Sequence, residues 1–180
     1  PALPFAIATV LIAAVVLAMP WRAAAAPAPD AALHALFERE FEVQLDEHPE
    51  QATYVGEAGR DARLTDVSPA AATRRKAHAA ALLRELQRVD PKRLQHAQSR
   101  LSREMMIADL RLGAAVEALY GDLPFEGIGG WQVVGPTGGP HSAMAELAKA
   151  VPTRTLRDAV HWLARLEALP KHLEQQMALM

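Results

Sequence analysis

Apolar residues recur at intervals of three and four along most of this chain, and prolines cut the pattern into separate lengths. That period places apolar side chains on one face of an α-helix, whereas a half-buried strand would need strict alternation. Leu33, Leu36, Phe37, Phe41 and Leu45 form the first such face, which predicts a helix from an N-cap at Asp30 to about Leu45, ended or bent by Pro49. Gly56 and Gly59 mark an irregular connection from which Leu64 and Val67 tuck back on the core. Ser68-Pro69 is an N-cap followed by proline at the first helical position, a start signal for a helix to about Val89. Leu82, Leu83, Leu86 and Val89 face inward there, and Arg74, Arg75 and Lys76 face solvent.

Asp90-Pro91 stops that helix. From about Gln95 to Leu119 the period returns, with Leu101, Met105, Ala108, Leu112, Val116 and Leu119 as the inward face. Seven of the ten glycines then fall between Gly121 and Gly139, giving one long Gly/Pro-rich loop over about 120–141. A short helix follows from an N-cap at Ser142 to about Val151. Thr155-x-x-Asp158 opens the last one as a capping box in which Asp replaces the usual Glu or Gln. Val160, Leu163, Leu166, Leu169, Leu173 and Met177 line its apolar face, and Pro170 is expected to kink or divide it. No strand signal, internal repeat or heptad run interrupts this reading. The expected fold is all-α, an irregular multi-helix domain.

The helical body is preceded by a different kind of segment. Ala6 to Met19 is apolar except for Thr9, Arg22 is the only charge before Asp30, and the alanines at 23–26 offer a small-residue cleavage site. This pattern reads as a signal peptide over residues 1–26, followed by a Pro-Ala-Pro linker over 27–32. The expected location is the periplasm or the exterior, with an uncleaved membrane anchor as the alternative, because 21 uncharged residues approach a membrane-spanning length. The absence of cysteine excludes disulfides, thiol chemistry and Cys-ligated zinc. A formal charge of −2 gives no basic surface for nucleic acid.

Little in the body carries reaction chemistry. No histidine is followed by glutamate, so no H-E-x-x-H metal motif exists. His34 and Glu38 lie one helical turn apart and read as a solvated pair opposite Phe37 and Phe41. His161 and Arg165 share that spacing, and His161 beside Trp162 reads as a helix-surface residue. Ser142 next to His141 is an N-cap, since adjacency does not make a triad. Gly127-Ile128-Gly129-Gly130 and Gly135-Pro136-Thr137-Gly138-Gly139 lack the remaining elements of nucleotide-binding loops. Phe125, Ile128, Trp131 and Val133 make the long loop apolar enough to pack over a cleft or on its own helices. No catalytic, cofactor-binding or metal-ligating residue is assigned.

One resemblance extends this reading. The order Leu45…Pro49-x-x-Ala52-Thr53-x-x-Gly56, then Arg63-Leu64-x-Asp66-x-Ser68, and later Leu163-Ala164-Arg165-Leu166-x-x-Leu169-Pro170 with Leu173 and Met177, resembles the bacterial domain of unknown function 885 family over about Leu33 to Met180. The resemblance implies an exported or lipid-anchored, mostly helical protein several times this length, similar to zinc metallopeptidases of the carboxypeptidase-like gluzincin type. Its H-E-x-x-H helix, zinc and general-base glutamate would lie in a C-terminal half outside these residues. Residues 33–180 would then be the N-terminal helical part of a larger peptidase-like domain, truncated at its C-terminus and forming one wall of a peptide-binding cleft. The apolar pattern runs on to Met180 without a cap, as that reading expects. Its partners would be the peptide substrate and the missing half. The alternative is a non-enzymatic exported helical binding or scaffold module.

Overall fold

The computed structural model of the chain describes residues 28–120 and 139–178. Six α-helices and one 3-10 turn account for most of them, with no strand among the described residues: α1 (Pro29–Glu47), α2 (Pro49–Val55), α3 (Pro69–Arg88), the turn Pro91–Arg93, α4 (Ala97–Tyr120), α5 (Pro140–Ala150) and α6 (Leu156–Met177). The fold is all-α, as the spacing predicts. No described helix is long and apolar enough to cross a membrane. The proposed leader and the apolar residues of the long loop lie outside the described residues.

Proline stands in the first turn of α1, α2, α3 and α5. Its fixed φ suits that turn, where its missing N–H has no intrahelical partner to lose. Ser68 caps α3 as expected, its hydroxyl accepting from the Ala71 amide at 3.3 Å. Thr155 and Asp158 close both halves of the capping box at the start of α6. Gly56 ends α2 in the left-handed conformation at φ 82°, which glycine adopts without a Cβ penalty.

Two expected caps act elsewhere. Asp30 lies inside the first turn of α1, and its carboxylate accepts from the amides of Gln95 at 2.8 Å and His96 at 3.2 Å. It therefore satisfies donors at the entrance to α4, across 65 residues of sequence. Those hydrogen bonds, the Gln95 amide foremost, hold its pKa at about 2, below its ordinary 3.8. Ser142 sits inside α5, and its hydroxyl donates to the Gly139 carbonyl at 3.0 Å, so Gly139 occupies the N-cap position.

The core joins Leu33 and Leu36 of α1, Leu82 and Leu86 of α3, Leu94, and Ile107 of α4. Phe37, Leu83, Val89, Met106 and Leu110 pack around it. Two of the expected faces are rotated. Phe41 is 45% exposed, and Glu40 turns inward in its place. On α4, Leu101, Met105, Leu112 and Leu119 are all exposed, whereas Ser99, Arg103 and Ile107 are buried. Arg103 is admitted because its Nε donates to the Leu86 carbonyl at 3.1 Å and a guanidinium nitrogen pairs with Glu104. A polar group enters a core where it finds partners, and periodicity alone does not show those partners. Arg75 and Lys76, expected in solvent, are half-buried.

α5 packs on α2, and α6 is one continuous helix with Pro170 inside it. The expected division at that proline does not occur. Leu156, Val160, Leu163, Leu166, Leu173 and Met177 of α6 are exposed.

Leu86→Ala is expected to destabilise the fold by about 2–5 kcal/mol, read from urea denaturation, because a fully buried side chain is truncated. The Asp30 carboxylate has a depressed pKa, so its contribution is complete above about pH 4 and is lost as the pH falls through about 2. Stability of Asp30→Asn should accordingly fall less steeply than wild type between those pH values in an acid titration of the urea midpoint.

Candidate functional site

A groove of about 320 Å³ opens between α1, α3 and α4. α1 lines it with Glu40, Val43, Gln44 and Glu47, α3 with Arg74, Arg75, His78, Ala79 and Leu82, and α4 with Leu110 and Glu117. Residues 40, 43, 44 and 47 follow one another at helical spacing, so a single face of α1 supplies its side of the groove.

The Glu40 carboxylate is enclosed in it, with its side chain 7% exposed. Its Oε2 lies 2.6 Å from His78 Nε2, and its Oε1 accepts from Gln44 Nε2 at 2.7 Å. Nε2 is the ring nitrogen that faces this carboxylate and can donate to it. His78 is 42% exposed, which makes it the partly open end of the pair. Further along, Arg75 Nη1 meets Glu47 Oε2 at 3.1 Å and donates to the Asp66 carbonyl at 2.9 Å. Arg74 reaches the Asp66 carboxylate only at 3.8 Å.

No serine, threonine or cysteine lines the groove beside this imidazole. No group of three His, Asp or Glu is placed to hold a metal among the described residues. The groove is apolar along Val43, Leu82 and Leu110 and charged at its rim.

Residues 49–180 match the model of a family described as "Bacterial protein of unknown function (DUF885)". The chain belongs to the DUF885 family. A search of curated proteins finds no match to it. The matched DUF885 region begins at Pro49, not at Leu33, so α1 lies before it while supplying Glu40, Gln44 and Glu47 to the groove.

The other sequence-singled residues fall apart from the groove. His34 and Glu38 are exposed on α1, as a solvated pair would be. The side chain of His141 and the glycine motifs of the long loop lie outside the described residues. Arg165 received no role from its spacing, and His161 was expected at the helix surface. It is fully buried within the DUF885 region, while His161 is half-buried. Arg165 Nε donates to the Arg63 carbonyl at 2.9 Å. Its Nη2 donates to Thr53 Oγ1 at 2.7 Å, the Pro49 carbonyl at 3.1 Å and the Arg60 carbonyl at 3.3 Å. Burial pulls its pKa down from the ordinary value, without bringing an arginine near neutrality.

Glu40 had a sequence signal of a kind, since it continues the spacing of Leu33, Leu36 and Phe37. Its partner at His78 and the acceptors around Arg165 have none, because each contact spans 38 residues or more.

Arg165→Ala should cost about 3 kcal/mol, the scale of losing hydrogen bonds made by a charged donor. Hydrogen exchange should then accelerate across Leu156–Met177 more than across Leu82–Leu86. Arg165→Lys should restore little, because one ammonium cannot reach acceptors spread over a planar fork.

Proposed function

We propose that this chain is the N-terminal helical wall of an exported, zinc-metallopeptidase-like DUF885 protein whose metal-binding residues lie outside these 180 residues. Family membership over residues 49–180 supports the placement. The observation that carries the reading is α6, whose Leu156, Val160, Leu163, Leu166, Leu173 and Met177 form an exposed apolar face. A contiguous apolar face of this kind marks a surface that another element covers. In this reading the cover is the metal-bearing half of the same domain.

The described residues do not fit a zinc site, so no step through zinc is assigned to them. Their part is to form and orient a wall. The Arg165 hydrogen bonds fix α6 against α2 and the segment after it, which sets the direction in which the apolar face points. Export follows in this proposal from the apolar segment ahead of Arg22 and the alanines behind it.

The test is expression of the complete reading frame beside the 180-residue chain, with elemental analysis and a peptide-hydrolysis assay. Stoichiometric zinc and chelator-sensitive hydrolysis are expected from the complete frame alone. Zinc uptake and hydrolysis by the 180-residue chain would refute the division of labour. Amino-terminal sequencing of the exported product should begin at Pro27.

A further inference from the structure

Not every charged group around the groove is engaged. Glu47 is paired with Arg75 at 3.1 Å, and Glu40 is hydrogen-bonded to His78 at 2.6 Å and to Gln44 at 2.7 Å. Two groups remain. Arg74 lies 57% exposed, and its only ion-pair partner among the described residues, Asp66, is at 3.8 Å, a separation that contributes little at a solvated surface. Glu117 is exposed on α4 and makes no hydrogen bond or ion pair among the described residues. The groove thus presents one lightly engaged cation from α3 and one unengaged anion from α4, with apolar side chains between the helices. Its volume of about 320 Å³ lies at the small end of the roughly 300–1,000 Å³ found for small-molecule sites.

A ligand that satisfies such a surface carries both charges, and an apolar group beside them. We propose that the groove binds a small zwitterion of the α-amino-acid kind, with its carboxylate on Arg74, its ammonium on Glu117 and its apolar side chain on Val43, Leu82 and Leu110. A free apolar amino acid and a dipeptide share this chemistry. The guanidinium suits a carboxylate because its planar fork matches the two oxygens. The two Glu40 carboxylate oxygens are already engaged by His78 and Gln44. The assignment concerns residues of this chain alone and is independent of any zinc chemistry.

The experiment is calorimetric titration of the full chain with L-leucine, L-leucyl-L-leucine, N-acetyl-L-leucine and L-leucinamide. Saturable binding of leucine or leucyl-leucine is expected, and the tighter of the two identifies the physiological form. Blocking either end should weaken binding about three- to tenfold, the range for one charge-assisted contact at a partly open site. Arg74→Gln should remove the preference for leucine over leucinamide, and Glu117→Gln the preference over N-acetyl-leucine, each leaving the other preference in place. Both positions are exposed, so thermal unfolding should be unchanged in the variants. The end-blocking comparison needs only wild-type protein. Equal affinity for blocked and unblocked ligands, unchanged affinity in both variants, or no saturable binding up to about 10 mM would each overturn the assignment.

Discussion

A buried guanidinium ties the last helix of this protein to its body. Arg165 is fully enclosed, and it gives hydrogen bonds to three backbone carbonyls and one hydroxyl drawn from α2 and the segment that follows it. Those acceptors lie 102 to 116 residues away in sequence. Taking such a charge out of water costs several kcal/mol, and only acceptors in good geometry offset it. Two further polar contacts follow along α6, from His172 Nδ1 to the Thr65 carbonyl at 2.9 Å and from Gln175 to Asp66 at 3.0 Å. α6 is therefore docked through polar side chains along one edge while much of its apolar surface faces outward. The direction of that apolar face, on which the functional proposal rests, depends on this edge.

The same device recurs in the body. Asp30 joins α1 to the start of α4, Glu40 joins α1 to α3, and Arg103 joins α4 to the end of α3. Each is a charged side chain at less than a tenth of its full exposure, and each meets a partner outside its own helix. Leucine packing supplies a non-directional driving force around Leu33, Leu82 and Leu86. Hydrogen bonds between helices add direction, since a donor and acceptor must meet within a few tenths of an ångström. Together they account for why helices with apolar residues on more than one side present particular faces to the core.

Membership in the DUF885 family begins at Pro49, yet the unit that packs does not. α1 precedes the matched region and contributes Leu33 and Leu36 to the core and Glu40 to the groove. The groove is accordingly composite, with one wall from α1 and two from the family region. Its rim is charged and its lining partly apolar, and the exposed apolar residues of α6 lie apart from it.

Local rules decided where helices begin. The Ser68-Pro69 start and the Thr155–Asp158 box are short-range devices legible in the chain itself, whereas Pro49, expected only to end or bend α1, also opens α2. The absence of strands among the described residues was legible for the same reason, because a period of three to four is a local property. Which face of each helix is buried was not. α4 carries apolar residues on two sides, and the side bearing Arg103 went inward because Leu86 offered it a carbonyl. Asp30 sits where a cap would be expected, but the amides it satisfies belong to Gln95 and His96. Glu40 displaced Phe41 because His78 faces it from α3. The sequence by itself determined helix content and most helix boundaries, through interactions spanning a few residues. The tertiary structure alone decided which charges could be buried, because the partners that offset their desolvation come from distant parts of the chain.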